Sequence, residues 1–209
     1  QHLWSIFKEQ KRVPKNENPF IEEHGLSDKF IVQYSGNIGL THNVDVLIDI
    51  AEELQAEPHI VFQIIGRGSR APAIRLKVEE RRLRNVQILP FQADDMFLYS
   101  LSAADVGIVA LDDRVSQVSV TSKDYNILNL GIPAIYFAGK DSKLSEYSRH
   151  YGNAWSFSHE QLDQAADCIK ELCKNTKSYR KMARNALIAS KDFTRHNADD
   201  FVSKYLSSG

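Results

Sequence analysis

Phe30-Ile31-Val32-Gln33-Tyr34-Ser35-Gly36-Asn37-Ile38-Gly39 decides the reading of this chain. An apolar run rich in β-branched and aromatic residues enters a turn punctuated by glycines, and helical spacing follows from about Val44 to Leu54. The order strand, Gly-containing loop, helix is one way a protein holds a phosphate. Backbone N–H groups point at the anion, and the helix dipole adds positive potential. Glycine lets the backbone approach closely. A tight strand-to-helix turn without a ligand has the same signature, so the rest of the chain must decide.

Working outward, short apolar runs alternate with helical segments. Phe30–Tyr34, Ile60–Ile65, Val86–Leu89, Val106–Leu111, Ala134–Phe137 and Ala154–Phe157 read as six strands. Val44–Leu54, Ala73–Leu83, Asp94–Ala103, Ser122–Leu130 and Leu144–Tyr151 carry helical spacing between them. Continuous apolar strands separated by helices imply a parallel sheet covered on both faces, an α/β doubly wound domain. Ligands of such a sheet lie beyond the C-terminal ends of its strands. From Glu160 the pattern changes to three expected helices, Glu160–Lys174, Ser178–Ser190 and Ala198–Leu206.

Composition excludes several classes. The 209 residues are 43% hydrophobic, enough for a large core. Lys and Arg number 26 against 27 Asp and Glu, a net charge of -1, which argues against a nucleic-acid partner. Cys168 and Cys173 are five apart in one expected helix and face different ways, so they do not pair with each other. No Cys/His spacing implies zinc. No apolar run approaches the roughly 20 residues of a membrane span. No signal peptide is visible, and a cytoplasmic setting is expected. Gln1 to Asn18 begins without Met and reads as an interdomain linker remnant (1–18), leaving one domain over 19–209.

The strand ends gather polar residues on one edge. The first delivers Ser35, Gly36, Asn37 and Gly39, and the second Gly66, Arg67, Gly68, Ser69 and Arg70. After the fourth come Asp112-Asp113-Arg114, read as a turn, and a polar loop into Thr121-Ser122-Lys123. Ser122 is a good N-cap. With Lys123 it makes a second anion site, and two helix N-termini plus Arg67 or Arg70 would hold a diphosphate. The plain alternative for Arg67, Arg70 and Lys123 is a solvated surface charge. A dinucleotide fold of the GxGxxG kind fits poorly, since the third glycine is absent and Gly66-Arg67 stands where an acidic residue would grip a ribose. There is no GxxxxGK[ST] phosphate loop and no GxSxG elbow.

Taken in order, Asn18-Pro19-Phe20, Gly25 to Phe30, Tyr34 to Gly39, Gly66-Arg67-Gly68, Asn85 to Phe91, Ala103 to Val106, Thr121 to Tyr125 and Gly131-Ile132-Pro133 resemble the C-terminal, donor-binding half of a GT-B glycosyltransferase. The likeness is to the group 1, family 4 type of retaining enzymes, and within it to bacterial fucosaminyltransferase-like proteins of surface-polysaccharide assembly. It implies a Rossmann-like domain that is one half of a two-domain fold. It places Gly36, Asn37, Gly39, Arg67 or Arg70, Ser122 and Lys123 by the donor diphosphate. It places Pro90, Phe91 and Gln92 by the base, and Asn126 by the ribose. Many family members carry two glutamates eight positions apart here, whereas this chain has Val118 and Asn126. The Arg and Lys that often follow the first-strand loop correspond to Asn37 and about His42.

The resemblance implies transfer of a sugar, with retention, from a nucleotide diphosphate donor, UDP-linked, to a glycan or lipid-linked acceptor. No cofactor and no metal are called for. The acceptor and any membrane contact are expected to belong to an N-terminal domain, and the chain alone is expected to bind donor without catalysing transfer. Two other readings stay open: a GT-B nucleotide-sugar epimerase, and a module that kept the fold and lost the chemistry.

Overall fold

The computed structural model describes residues 11–40, 42–110, 122–139 and 141–206, with the backbone alone for 122–124, 143 and 192–206. Six strands form one sheet: β1 (Phe30–Asn37), β2 (Ile60–Arg67), β3 (Val86–Leu89), β4 (Val106–Ala110), β5 (Ala134–Phe137) and β6 (Ala154–Phe157). Their order is β3-β2-β1-β4-β5-β6, and every pair is parallel. The expected doubly wound sheet is therefore present. The chain steps outward from β1 to β3, then crosses back to β4, so the order reverses between β1 and β4. Ligands of open parallel sheets sit at that reversal.

Helices cover both faces. α2 (Asp45–Glu53) and α7 (Leu162–Lys174) lie over Val32, Tyr34, Phe62 and Ile64, and α3 (Ala71–Glu80) adds Ile74. The opposite face takes α1 (Pro19–Glu23) and α4 (Asp94–Ala103), which bury Ile31 and Ile65 beneath Phe20 and Ala103. Farther along that face, α5 (Ser122–Asn129) and α6 (Lys143–Tyr151) pack Ile127 and Leu144 against Val109 and Tyr136. Strands buried on both faces have no polar face to show, which is why they read as continuous apolar runs.

Three details depart from the expectations. The short α1 is not among the expected helices; Asn18 caps it by accepting from the Phe20 N–H, and Pro19 stands at its first position. Part of the expected linker is bound to the domain. Arg12 donates to the Ser102 carbonyl at 3.1 Å and to the Tyr179 hydroxyl at 2.8 Å, and Lys15 meets Asp105 at 2.5 Å. Finally, the two last expected helices are one, α8 (Thr176–Leu206), of 31 residues. The polar stretch from Lys191 to Asn197 contains neither Gly nor Pro, so nothing in it stops a helix.

Candidate nucleotide-binding site

At the sheet reversal a cavity of about 260 Å³ opens between the ends of β1 and β4, roofed by α4 and α5. Gln33, Ser35, Gly36 and Asn37 line it from β1, Gly107 from β4, Phe97 and Leu101 from α4, and Asn126 and Ile127 from α5. Phe91, from the loop after β3, closes one side.

The rim is built by two loops clasped together. Gly36 and Gly66 stand opposite each other in the register of β1 and β2. A Cβ on Gly66 would lie 1.9 Å from the Gly36 carbonyl oxygen, so only glycine fits. Beyond them the Ile38 N–H donates to the Arg67 carbonyl at 2.9 Å, and the Arg70 N–H donates to the Ile38 carbonyl at 3.0 Å. Tyr34, buried on the other face, donates its hydroxyl to the Asn37 carbonyl at 2.5 Å, and burial pushes that phenol far above its ordinary pKa. The loop after β1 is thereby held from three sides before any ligand arrives.

Arg67 is exposed, and its guanidinium lies over the Phe91 ring, 5.7 Å from the centroid. Phe91 in turn packs against Phe97, with centroids 6.2 Å apart. A cation held on an aromatic ring at the mouth of a cavity is placed to meet an anion there without being drawn into a carboxylate.

The expected residues divide clearly. Gly36, Asn37, Phe91 and Asn126 line the cavity, and Arg67 stands on Phe91 at its mouth. Gly39 is buried within the β1 loop. Pro90 and Gln92 fold onto each other, the Gln92 amide donating to the Pro90 carbonyl at 2.8 Å, and lie outside the lining. Ser122 and Lys123 open α5, one turn before Asn126, and their side chains lie outside the described residues, as do Thr121 and Val118.

Arg70 is directed elsewhere. It pairs with Asp45 at 2.6 Å, and Lys77 binds the other oxygen of the same carboxylate. Burial alone would raise the Asp45 pKa, but the hydrogen bonds and charges of Lys77 and Arg70 outweigh it and hold the carboxyl below its ordinary value. Asp45 opens α2, so that helix N-terminus carries an anion of its own. The N-terminus of α2 is thus provided for within the fold, while α5 lines the cavity with Asn126 and Ile127.

Sequence reasoning missed Gln33, Phe97, Leu101 and Gly107. Gly107 was the legible one, because a glycine inside a strand marks a close approach. A Cβ there would lie 2.7 Å from Ile127 Cδ1. A larger cavity, about 740 Å³, runs along the edge strand β6 beside α6 and α8. It lies away from the sheet reversal, and the topology of the fold favours the smaller one. Among the described residues no three His, Cys, Asp or Glu side chains converge as metal ligands, and no helix is long and apolar enough to cross a membrane.

Known proteins place this geometry in a family. Residues 16–188 match the family described as Glycosyl transferases group 1. The chain is 31% identical over 119 residues to "Putative colanic acid biosynthesis glycosyl transferase WcaI" of Escherichia coli (strain K12), covering 57% of this chain and 29% of that protein. The fold superposes on a crystal structure of Anabaena Alr3699/HepE in complex with UDP and glucose, with a TM-score of 0.78, at 19% identity over 96% of this chain and 54% of that one. It also superposes on the C-terminal domain of a group 1 glycosyl transferase (LpcC) from Francisella tularensis, with a TM-score of 0.68, at 18% identity over 86% of this chain and 93% of that one. The chain spans under a third of WcaI and about half of HepE. It has the fold of a GT-B C-terminal domain, and it belongs to the group 1 glycosyl transferases.

Proposed function

We propose that this chain holds the nucleoside diphosphate of a sugar donor, UDP-linked, in the cavity between β1 and β4. It would serve as the donor-binding domain (residues 19–209) of an enzyme that transfers the sugar with retention onto a glycan or lipid-linked acceptor of a cell-surface polysaccharide. The observation that carries the reading is the cavity at the sheet reversal, with a glycine-lined rim on one side and Arg67 on Phe91 at the other. The UDP bound by HepE and the colanic acid role in WcaI's name support the choice of base and pathway.

In this reading Gly36, Asn37 and Gly39 bring backbone close to the diphosphate, and Ser122 and Lys123 meet it from the first turn of α5. Phe91, with Pro90 and Gln92 behind it, borders the base, and Asn126 hydrogen-bonds a ribose hydroxyl. As the sugar leaves, negative charge grows on the diphosphate. Arg67, Lys123 and fixed N–H dipoles oppose it, a form of stabilisation that needs no resident metal. The acceptor would be met by parts of the whole protein beyond this chain.

Calorimetric titration with UDP, GDP and ADP tests the proposal. UDP is expected to bind and the purine nucleotides to bind more weakly; no heat from any of the three overturns it. The described cavity residues include neither carboxylate nor imidazole, an observation that favours a second reading, a module that binds donor without transfer. Turnover by the whole protein, lost on changing Arg67, excludes that second reading.

A further inference from the structure

Gln33 is a glutamine set between Phe30-Ile31-Val32 and Tyr34 in β1, and it is only 3% exposed. It belongs to a side-chain ladder across three strands. Gln33, Gln63 and Gln87 stand in register on β1, β2 and β3. Gln63 Nε2 donates to Gln87 Oε1 at 2.9 Å, and Gln33 Nε2 donates to Gln63 Oε1 at 3.0 Å and to the Ser100 carbonyl at 2.8 Å. A backbone carbonyl can only accept, so the atom facing Ser100 is nitrogen and the amide cannot turn over. Both N–H groups of Gln33 are used. Its Oε1 accepts from none of the described residues. The open space beside Gln33 is the cavity between β1 and β4.

We infer that Gln33 reads the base of the bound nucleotide, its Oε1 accepting a hydrogen bond from a ring N–H at the floor of that cavity. The inference rests on the nucleotide reading above and goes beyond it by naming a specificity determinant. Phe97, Leu101, Gly107, Ile127 and Ile132 line the same cavity and give it a largely apolar wall, with Ser35, Asn37 and Asn126 as its other polar side chains. A pyrimidine base presents a single ring N–H to that oxygen, flanked by two carbonyls that need donors of their own. A ribose or hexose would bring several hydroxyls into the cavity and leave most of them without partners, which is costly. On the UDP reading above, that N–H is the uracil N3–H. The ladder fixes the oxygen in advance, so discrimination needs no rearrangement on binding.

The test is calorimetry of the chain with UDP, N3-methyl-UDP and 2′-deoxy-UDP, repeated on Gln33→Met and Gln87→Met. Wild type is expected to lose about tenfold or more in affinity on N3-methylation, the usual effect of leaving a buried partner unmet. Gln33→Met should shrink that ratio to within about twofold, whereas Gln87→Met, which cuts the far end of the ladder, should keep it. Should Gln33→Met fail to fold, the wild-type pair still decides, together with the imino proton of 15N-labelled UDP, which should exchange slowly when bound. Equal binding of UDP and N3-methyl-UDP by wild type overturns the inference. So does a Gln33-dependent penalty that follows the 2′-hydroxyl instead of N3. Absence of any UDP binding overturns the nucleotide reading itself, and is distinguished from binding without discrimination.

Discussion

Replacing Gly66 by alanine tests how the rim of the cavity is held. The new Cβ would stand 1.9 Å from the Gly36 carbonyl oxygen and 3.0 Å from its carbon. Carbon and oxygen ordinarily approach to about 3.3 Å, so the ends of β1 and β2 must part by about 1.4 Å. The obstacle is backbone and cannot rotate aside. Overpacking of this kind costs about 1–3 kcal/mol. For a chain of this length that lowers Tm by about 3–10 °C. The same displacement pulls at the bond from the Ile38 N–H to the Arg67 carbonyl, one step beyond. The loop carrying Gly36 and Asn37 then loses its preset position, and UDP affinity should fall about tenfold, or about 1.4 kcal/mol. Thermal denaturation followed by circular dichroism reads the first effect and calorimetry the second. Gly25→Ala is the control: its φ of 64° makes alanine strained, but nothing lies within 4 Å of the added Cβ. It should cost about 1 kcal/mol of stability and leave UDP binding intact. If Gly66→Ala keeps both the Tm and the affinity of wild type, the clasp is not what positions the loop.

Further outcomes follow from the same geometry. Arg67→Ala removes an exposed side chain, so stability should change by no more than about 0.5 kcal/mol, while UDP affinity drops about tenfold and loses part of its salt dependence. Asp45 has a folded pKa below its ordinary 3.8, so its stabilisation is present above that value and lost as pH falls through the lower folded value. The Tm gap between wild type and Asp45→Asn should therefore be full at pH 7 and close on acidification below about pH 4. Burial, reinforced by Glu171 and Asp167, pushes the Cys168 thiol up to about 11. Alkylation by iodoacetamide at pH 8 should be slower at Cys168 than for free cysteine, as mass spectrometry of the modified peptide would show.

Much of this protein was legible without coordinates. The strands β3, β5 and β6 fall where their apolar runs do, because short strands bounded by Gly, Pro or Asn carry their own punctuation, and α4 spans the expected residues. The glycines at the end of β1, the arginine at the end of β2 and the Phe91 loop were likewise visible as candidates. Local rules could not tell that Arg70 belongs to Asp45 and Lys77, since the pair joins residues 25 apart in sequence. Nor did they join the last two expected helices, although the stretch between them holds neither Gly nor Pro to stop a helix. Gln33 is the sharpest case. Within Phe30–Tyr34 it looks like a polar interruption of a strand. Only the parallel register, which sets it beside Gln63, and the α4 crossover, which brings the Ser100 carbonyl to it, give its amide an orientation. Secondary structure and fold class follow from periodicity along the chain. The facing of charges and the direction of a single oxygen are properties of contacts between distant segments, and those exist only once the sheet has closed.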